Sequence, residues 1–395
     1  MFGLPVSHVG NVLIFALFFA CILDGSFKKY ANNYTFVVLI IGCFIIIGSI
    51  SALLYKAELL LYFWSLKNYL RFFLLMLDCA MIIDKSDLLF LCKVLGIISL
   101  MHILITLTQF FFFDIRWDYL NGIFGSYMGG NAGVNGFLAV CTTTLFYLFF
   151  HKKINGLFLI VALSLMCLNA AISEIKYYFV ELLGAIILYG IITRKYKQLL
   201  VLTSSIAVIV VLSVFLLYRL YPDFTGYFSA GIIEKIGVNY HDNFDSLSRL
   251  NQISGMTNPI LSFGMNIRPE LGRLCQFIGL GFGNAEYGTK EIFNSNFYYQ
   301  NYRLWYFDFI ESYTYAETGK IGVFVYDLLF VALAVRSLFY SLIKGNREFA
   351  LFGSIFYILI IGIMFYDVSL RNNYGYLVWA TMAVPMIMEN SREKV

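Results

Sequence analysis

Charge is the scarcest property of this chain. Asp, Glu, Lys and Arg make up only 13% of its 395 residues, against about 25% in soluble domains. That excludes an ordinary water-soluble globule. Proline is also rare: five residues in 395 leave no room for a Pro-rich linker, and the chain shows neither an internal repeat nor a low-complexity run. The seven Cys form no Cys-x-x-Cys pair and no metal-ligand spacing. Cys21, Cys43, Cys79, Cys92, Cys141 and Cys167 lie in apolar segments and Cys275 in a polar one, so they read as small buried hydrophobes. No GxxxxGK[ST] loop, no strand-bound GxGxxG, no HExxH and no Asp-x-Asp pair occurs. These absences leave no expected nucleotide cofactor and no expected metal. A net charge of +4, spread in short clusters, gives no footprint for nucleic acid.

What is present is apolar surface. Hydrophobic residues reach 60% and aromatics 18%, with 40 Phe and 29 Tyr, and the mean hydropathy is +0.76. Crossing a bilayer takes about 20 apolar residues. The runs predict spans near 9–24, 34–55, 66–83, 88–113, 134–150, 155–173, 176–193, 199–221, 318–343, 349–369 and 374–390. The expected class is therefore an all-α polytopic membrane protein with about eleven transmembrane helices, ten or twelve being the bounds. Residues 57–65 read either as an interfacial turn or as the start of a longer third helix. Residues 10–23 do not read as a cleavable signal, because no Lys or Arg precedes the apolar run.

One long polar stretch interrupts this pattern, from about Tyr221 to Tyr306. It divides the chain into N-terminal membrane helices (1–221), a large extramembrane loop (222–306) and C-terminal membrane helices (307–395). Basic clusters set the sidedness. His151-Lys152-Lys153, Arg194 to Lys197, Lys344 with Arg347, and Arg392 with Lys394 alternate across the spans and read as cytoplasmic, like the C-terminus. Residues 114–133, 173–176, 222–306 and 371–373 then face the opposite side. Lys56, Lys67 and Arg71 contradict this pattern for the third span. Within the loop, 228–238 has the makings of a short amphipathic helix, Ser246 reads as a helix cap, and Gly279 to Asn284 as a turn.

Candidate chemistry rests on cations and carboxylates on the outer side. Arg249, Arg268 and Arg273 lie in the loop with Arg303, and Lys176 sits between two apolar runs. Arg suits phosphate because its planar fork binds two oxygens and stays protonated, and a charge near membrane depth is costly enough to suggest a function. The plain readings are solvated surface charges and, for Lys176, an interfacial Lys paired with Glu174. Carboxylates gather at Asp308, Glu311 and Glu317. If that stretch is helical, Asp308 and Glu311 share a face at i, i+3. Either could act as a base, or simply favour a helix N-terminus. His241 is a weaker candidate base. Tyr302 and Trp305 belong to an aromatic run suited to stacking on sugar rings, or to anchoring at an interface.

These residues resemble the O-antigen polymerase and O-antigen ligase superfamily of bacterial envelope glycosyltransferases, most of all its O-antigen and exopolysaccharide polymerases. Asn121-Gly122-Ile123-Phe124-Gly125, followed by Asn135-Gly136-Phe137-Leu138, resembles an outer-loop entry into a span. Ser173-Glu174-Ile175-Lys176 is similar to a stretch that reads Ser-Arg in ligases and often contains Lys in polymerases. Ser248-Arg249-Leu250 and Gly279 to Asn284 resemble landmarks of the large periplasmic loop. Ala316 to Gly322 resembles the Glu-x-Gly-x-x-Gly that opens the next span, and Arg268 with Gly279 keeps an Arg-x10-Gly spacing. Ligases usually carry a His where this chain has Asp308, which favours the polymerase side of the superfamily.

The resemblance implies a GT-C-like membrane fold in the bacterial inner membrane, working at its periplasmic face without nucleotide or metal. The donor would be a glycan on undecaprenyl pyrophosphate, and the acceptor the terminal sugar of another lipid-linked repeat unit. Lys176, Arg249, Arg268 and Arg273 would hold the pyrophosphate, Asp308 or Glu311 would serve as base, and Tyr302 and Trp305 would hold sugar. Partners would be these lipid-linked glycans and membrane lipids, with a chain-length regulator as a further candidate. Two other functions fit the same features: a ligase transferring finished glycan to lipid A core, and a flippase or transporter. The transporter predicts internal pseudo-symmetry and paired broken helices, and the sequence shows neither.

Overall fold

The computed structural model describes residues 6–116, 119–126, 130–173, 175, 177–220, 246–288, 290–343, 347–366 and 368–390. It is 82% helix with no strands among the described residues, an all-α architecture. The helices are α1 (Val6–Leu23), α2 (Ser26–Asn33), α3 (Thr35–Leu54), α4 (Leu59–Ile82), α5 (Lys85–Phe112), α6 (Asn131–Phe150), α7 (Gly156–Ile172), α8 (Tyr177–Thr193) and α9 (Tyr196–Leu220). After the long polar stretch come α10 (Gln252–Ile267), α11 (Leu274–Ile278), α12 (Asn296–Asn301), α13 (Ile310–Ile343), α14 (Arg347–Tyr366), α15 (Gly375–Met382) and α16 (Val384–Asn390).

Among the described residues, four segments are long and apolar enough to cross a membrane: Thr35–Leu54, Lys85–Phe112, Gly133–Phe150 and Ile310–Phe339. A fifth is α1 with α2, if that pair, bent by 87°, counts as one span. The apolar stretches of α7, α8, α9 and α14 are shorter, at 10–17 residues. The structure therefore supports four to five spans where the hydropathy runs predict about eleven. Two of the differences are local. Residues 59–65 belong to α4, so the third apolar run is a longer helix that carries Lys67, Arg71 and Asp78. The last run is divided into α15 and α16. Large apolar side chains lie exposed along the candidate spans, among them Leu39, Leu53, Leu104 and Phe324. Such surface suits lipid far better than water.

Contacts group the chain into two compact units. The first comprises 1–81, 233–332 and 364–379. Its core is aromatic: Phe44, Tyr69, Phe73, Phe282 and Trp379 are all buried, and the Phe282 ring lies 5.7 Å from Phe44 and 5.3 Å from Tyr69. Phe282 arrives there on a strap of non-helical chain, residues 279–284. The strap takes its hydrogen bonds from the helices that it crosses. Leu280 and Gly281 donate to the Ala316 and Glu317 carbonyls at 2.8 and 2.7 Å, and Phe282 donates to the Gly48 carbonyl at 3.1 Å. Gly281 runs at φ +92, and a Cβ there would sit 2.0 Å from the Ala52 backbone nitrogen. Only glycine permits both that dihedral and that approach. The turn expected at Gly279 to Asn284 is thus a strap buried among α3, α4 and α13.

The second unit comprises 82–232, 333–363 and 380–395. Here α5 packs on α6 and α7, α6 on α8, and α9 on α7 and α8. Helix starts follow local chemistry: Asp84 and Asp87 form a capping box on α5, and the Asn155 side chain accepts the Phe158 N–H at 2.7 Å to cap α7. The Gln109 amide grips the turn Gly122–Phe124, accepting the Gly122 N–H at 2.9 Å and donating to the Gly122 and Gly125 carbonyls at 3.1 Å. Arg336 makes a forked pair with Glu389 at 2.8 and 3.1 Å.

Candidate functional site

The polar groups best placed for chemistry lie in the first unit, around a break in α13. Gly319, at φ 66 and ψ −170, interrupts that helix. Glu311 and Asp327 are sixteen residues apart, which in a straight helix means about 24 Å. They are nevertheless close enough for the charge of Glu311 to act on Asp327. The helix is therefore kinked at Gly319. Beyond the break, residues 320–343 are themselves long enough to span a bilayer.

Beside this break is a cavity of about 370 Å³ lined by Arg249, Gln252, Thr257, Glu311, Lys320 and Phe365, among others. Each charged side chain is set by its local chain. Ser248 to Asn251 forms a turn, with the Ser248 N–H donating to Asn251 Oδ1 at 2.6 Å. Gln252 Nε2 donates to the Arg249 carbonyl at 3.2 Å and to the Phe365 carbonyl at 2.8 Å, tying that turn to the end of α14. Thr257 and Tyr315 share a hydroxyl–hydroxyl bond of 3.3 Å that ties α10 to α13. Glu311 stands in the first turn of α13, where a carboxylate is favoured by the helix dipole. Two cations and a carboxylate thus converge on one recess. Such a recess can hold an anionic group and, beside it, take a proton from a hydroxyl.

Of the expected site residues, the structure brings together Arg249 and Glu311. Ser246 is not a helix cap: α10 begins six residues later, at Gln252, because Leu247 is drawn away to the Leu304 carbonyl at 3.0 Å. Asp308 and Glu311 do not share a helix face. Asp308 ends a separate turn, Tyr306–Asp308, and Phe309 is extended at φ −128 and ψ 132 before α13 starts. Asp308 lies within electrostatic reach of Tyr287. Arg268 is engaged elsewhere, its Nε donating to the last carbonyl of α3, Leu54, at 3.1 Å and its Nη1 to Glu270 at 3.0 Å. The backbone N–H of Glu270 and then Arg268 hold the Glu270 carboxyl below its usual range. Arg273 is exposed at the start of α11. Tyr302 is exposed beside Arg303, and Trp305 is half-buried against Phe307. Lys176, His241 and the stretch 228–238 lie outside the described residues.

Sequence reading missed a buried polar cluster in the same unit. Arg371 Nη2 pairs with Glu286 at 2.8 Å, with side chains only 7% and 1% exposed, and its guanidinium sits 3.4 Å from the Tyr313 ring centre. Burial alone would lower the Arg371 pKa, but Glu286, Tyr313 and Tyr69 more than reverse this and hold it well above its ordinary value. Glu317 accepts from Ser65 Oγ at 2.8 and 2.9 Å and from the Gly283 N–H of the strap at 2.8 Å. Arg71 donates to the Arg371 carbonyl at 2.9 Å and to the Tyr376 hydroxyl at 3.3 Å. Of its members, Glu317 stood out as one of the carboxylates at 308–317 and Arg71 as a charge on the wrong side for the third span, but no sequence signal joined them to Glu286 and Arg371. Among the described residues, no three His, Cys, Asp or Glu side chains converge as metal ligands. No family model matches the chain, and no curated protein matches it.

Proposed function

We propose that this chain is a polymerase of lipid-linked glycans, a membrane glycosyltransferase with about eleven spans and a GT-C-like arrangement. In this reading the cavity faces the periplasm from the bacterial inner membrane. A hydroxyl of the acceptor sugar attacks the anomeric carbon of the donor. The bond from that carbon to the undecaprenyl pyrophosphate breaks, and the pyrophosphate leaves with the electron pair. Arg249 and Lys320 stabilise its growing charge, and Glu311 takes the hydroxyl proton. The observation that carries the reading is the convergence of Arg249, Lys320 and Glu311 on one recess. The donor brings its own activation, so this chemistry calls for no nucleotide.

The test is a gel of envelope polysaccharide from cells lacking the protein and complemented with wild type, Arg249→Ala or Glu311→Gln. The expected null strain carries single repeat units, with the ladder restored by wild type and reduced at least a hundredfold by either variant. Long lipid-linked polymer that fails to reach its final acceptor would favour a ligase. A normal ladder in every strain would overturn the glycosyltransferase reading.

A further inference from the structure

Lys67 and Arg71 stand one turn apart on α4. Side chains at i and i+4 on a helix are neighbours, and like charges there repel. The structure places Arg71 within electrostatic reach of Lys67, together with Arg371 and Glu286. Glu286 is taken by Arg371 at 2.8 Å. Glu317 is satisfied by Ser65, the Gly283 N–H and Tyr313. Among the described residues, neither Lys67 nor Arg71 makes an ion pair with a carboxylate.

Arg71 is only 9% exposed, its two acceptors, the Tyr376 hydroxyl and the Arg371 carbonyl, are neutral, and its buried Nε has no partner. The buried Nε of Arg371 has none either. Lys67 lies with its Nζ 3.2 Å from the centre of the Trp64 ring, and Trp64 stacks on Phe293 at 3.7 Å. A helix that carries a buried and a half-buried cation side by side, neither paired with a carboxylate, bears a cost that an incoming anion would lower. A guanidinium and an ammonium side by side suit a tetrahedral oxyanion.

We infer that Lys67 and Arg71 form a binding site for a phosphoryl group, either free or on a lipid headgroup. The inference stands on the charge balance of α4 and does not require the reaction proposed for the cavity. The full chain, purified in a neutral detergent, is titrated with inorganic phosphate and separately with phosphatidic acid, and thermal unfolding is followed. The expected result is a saturable rise in Tm of roughly 3 °C at a hundredfold excess over Kd, absent with sodium chloride of equal ionic strength. A rise with phosphate assigns a free oxyanion, and a rise with phosphatidic acid alone assigns a lipid headgroup. Lys67→Gln, at a half-buried position, should weaken binding at least tenfold and raise the Tm of the ligand-free protein by relieving repulsion. A merely structural Lys67 would instead lower that Tm. A rise that Arg249→Ala abolishes and Lys67→Gln keeps would place the oxyanion in the cavity and overturn the proposal. No saturable rise with either probe, or a rise unchanged in Lys67→Gln, would overturn the proposal.

Discussion

Arg371 and Glu286 illustrate how little of a buried polar contact is visible along the chain. They are 85 residues apart, in two loops whose sequences carry no periodic signal. Removing one partner of a buried pair leaves an uncompensated charge, at a cost of about 3–5 kcal/mol. Glu286→Gln should therefore destabilise the protein by about 3 kcal/mol, read from unfolding of the purified chain. Glu286→Gln combined with Arg371→Met should recover part of the loss, since a neutral pair has no charge to desolvate. Equal loss in the single and double variants would show that the pair acts through packing alone. Lys67 and Arg71 were more legible, because a basic pair in an apolar run violates the sidedness set by the other clusters.

At the scale of elements, the strap decides the architecture of the first unit. A turn at Gly279 to Asn284 could be read from glycine spacing, because three alternate glycines cannot sustain a helix. Its burial could not, because burial depends on the backbones of α3, α4 and α13 that close around it. Gly281→Ala should cost about 3 kcal/mol or more, adding backbone strain to a clash with the Ala52 backbone. Gly272→Ala is the control: at φ +53 with open space around it, it should cost only about 1 kcal/mol of strain. Comparable losses in both would mean that the close approach contributes nothing. The break in α13 follows the same logic. The sequence shows Gly319 opening an apolar run, while the kink in α13 arises from the left-handed φ that the packing imposes.

For the whole molecule, burial makes stability depend on alkaline pH. Burial, opposed by Arg371, pushes the Tyr287 hydroxyl up to about 12 from an ordinary 10.0. Its neutral form is favoured in the folded state, so its contribution is complete below pH 10. As pH rises from about 10 to 12 the unfolded chain ionises first, and stability falls by on the order of 2 kcal/mol from this group. Burial raises the Cys275 thiol in the same direction. Tyr287→Phe should flatten the decline measured over that window. A decline as steep as in wild type would mean that Tyr287 is not held neutral by the fold.

Composition and hydropathy determined the class by themselves. With 13% charge and continuous apolar runs in place of alternating ones, helices are the arrangement that hides the backbone and leaves so many apolar side chains outward. Most helix positions followed, because the runs are continuous and the polar breaks between them are short. Tertiary structure alone decided which charges meet. Arg249 joins Glu311 and Lys320 because Gln252 anchors its turn to α14 and Gly319 kinks α13, whereas Arg268 is drawn to the end of α3. Those outcomes rest on contacts between residues tens to hundreds of positions apart, which no local pattern encodes.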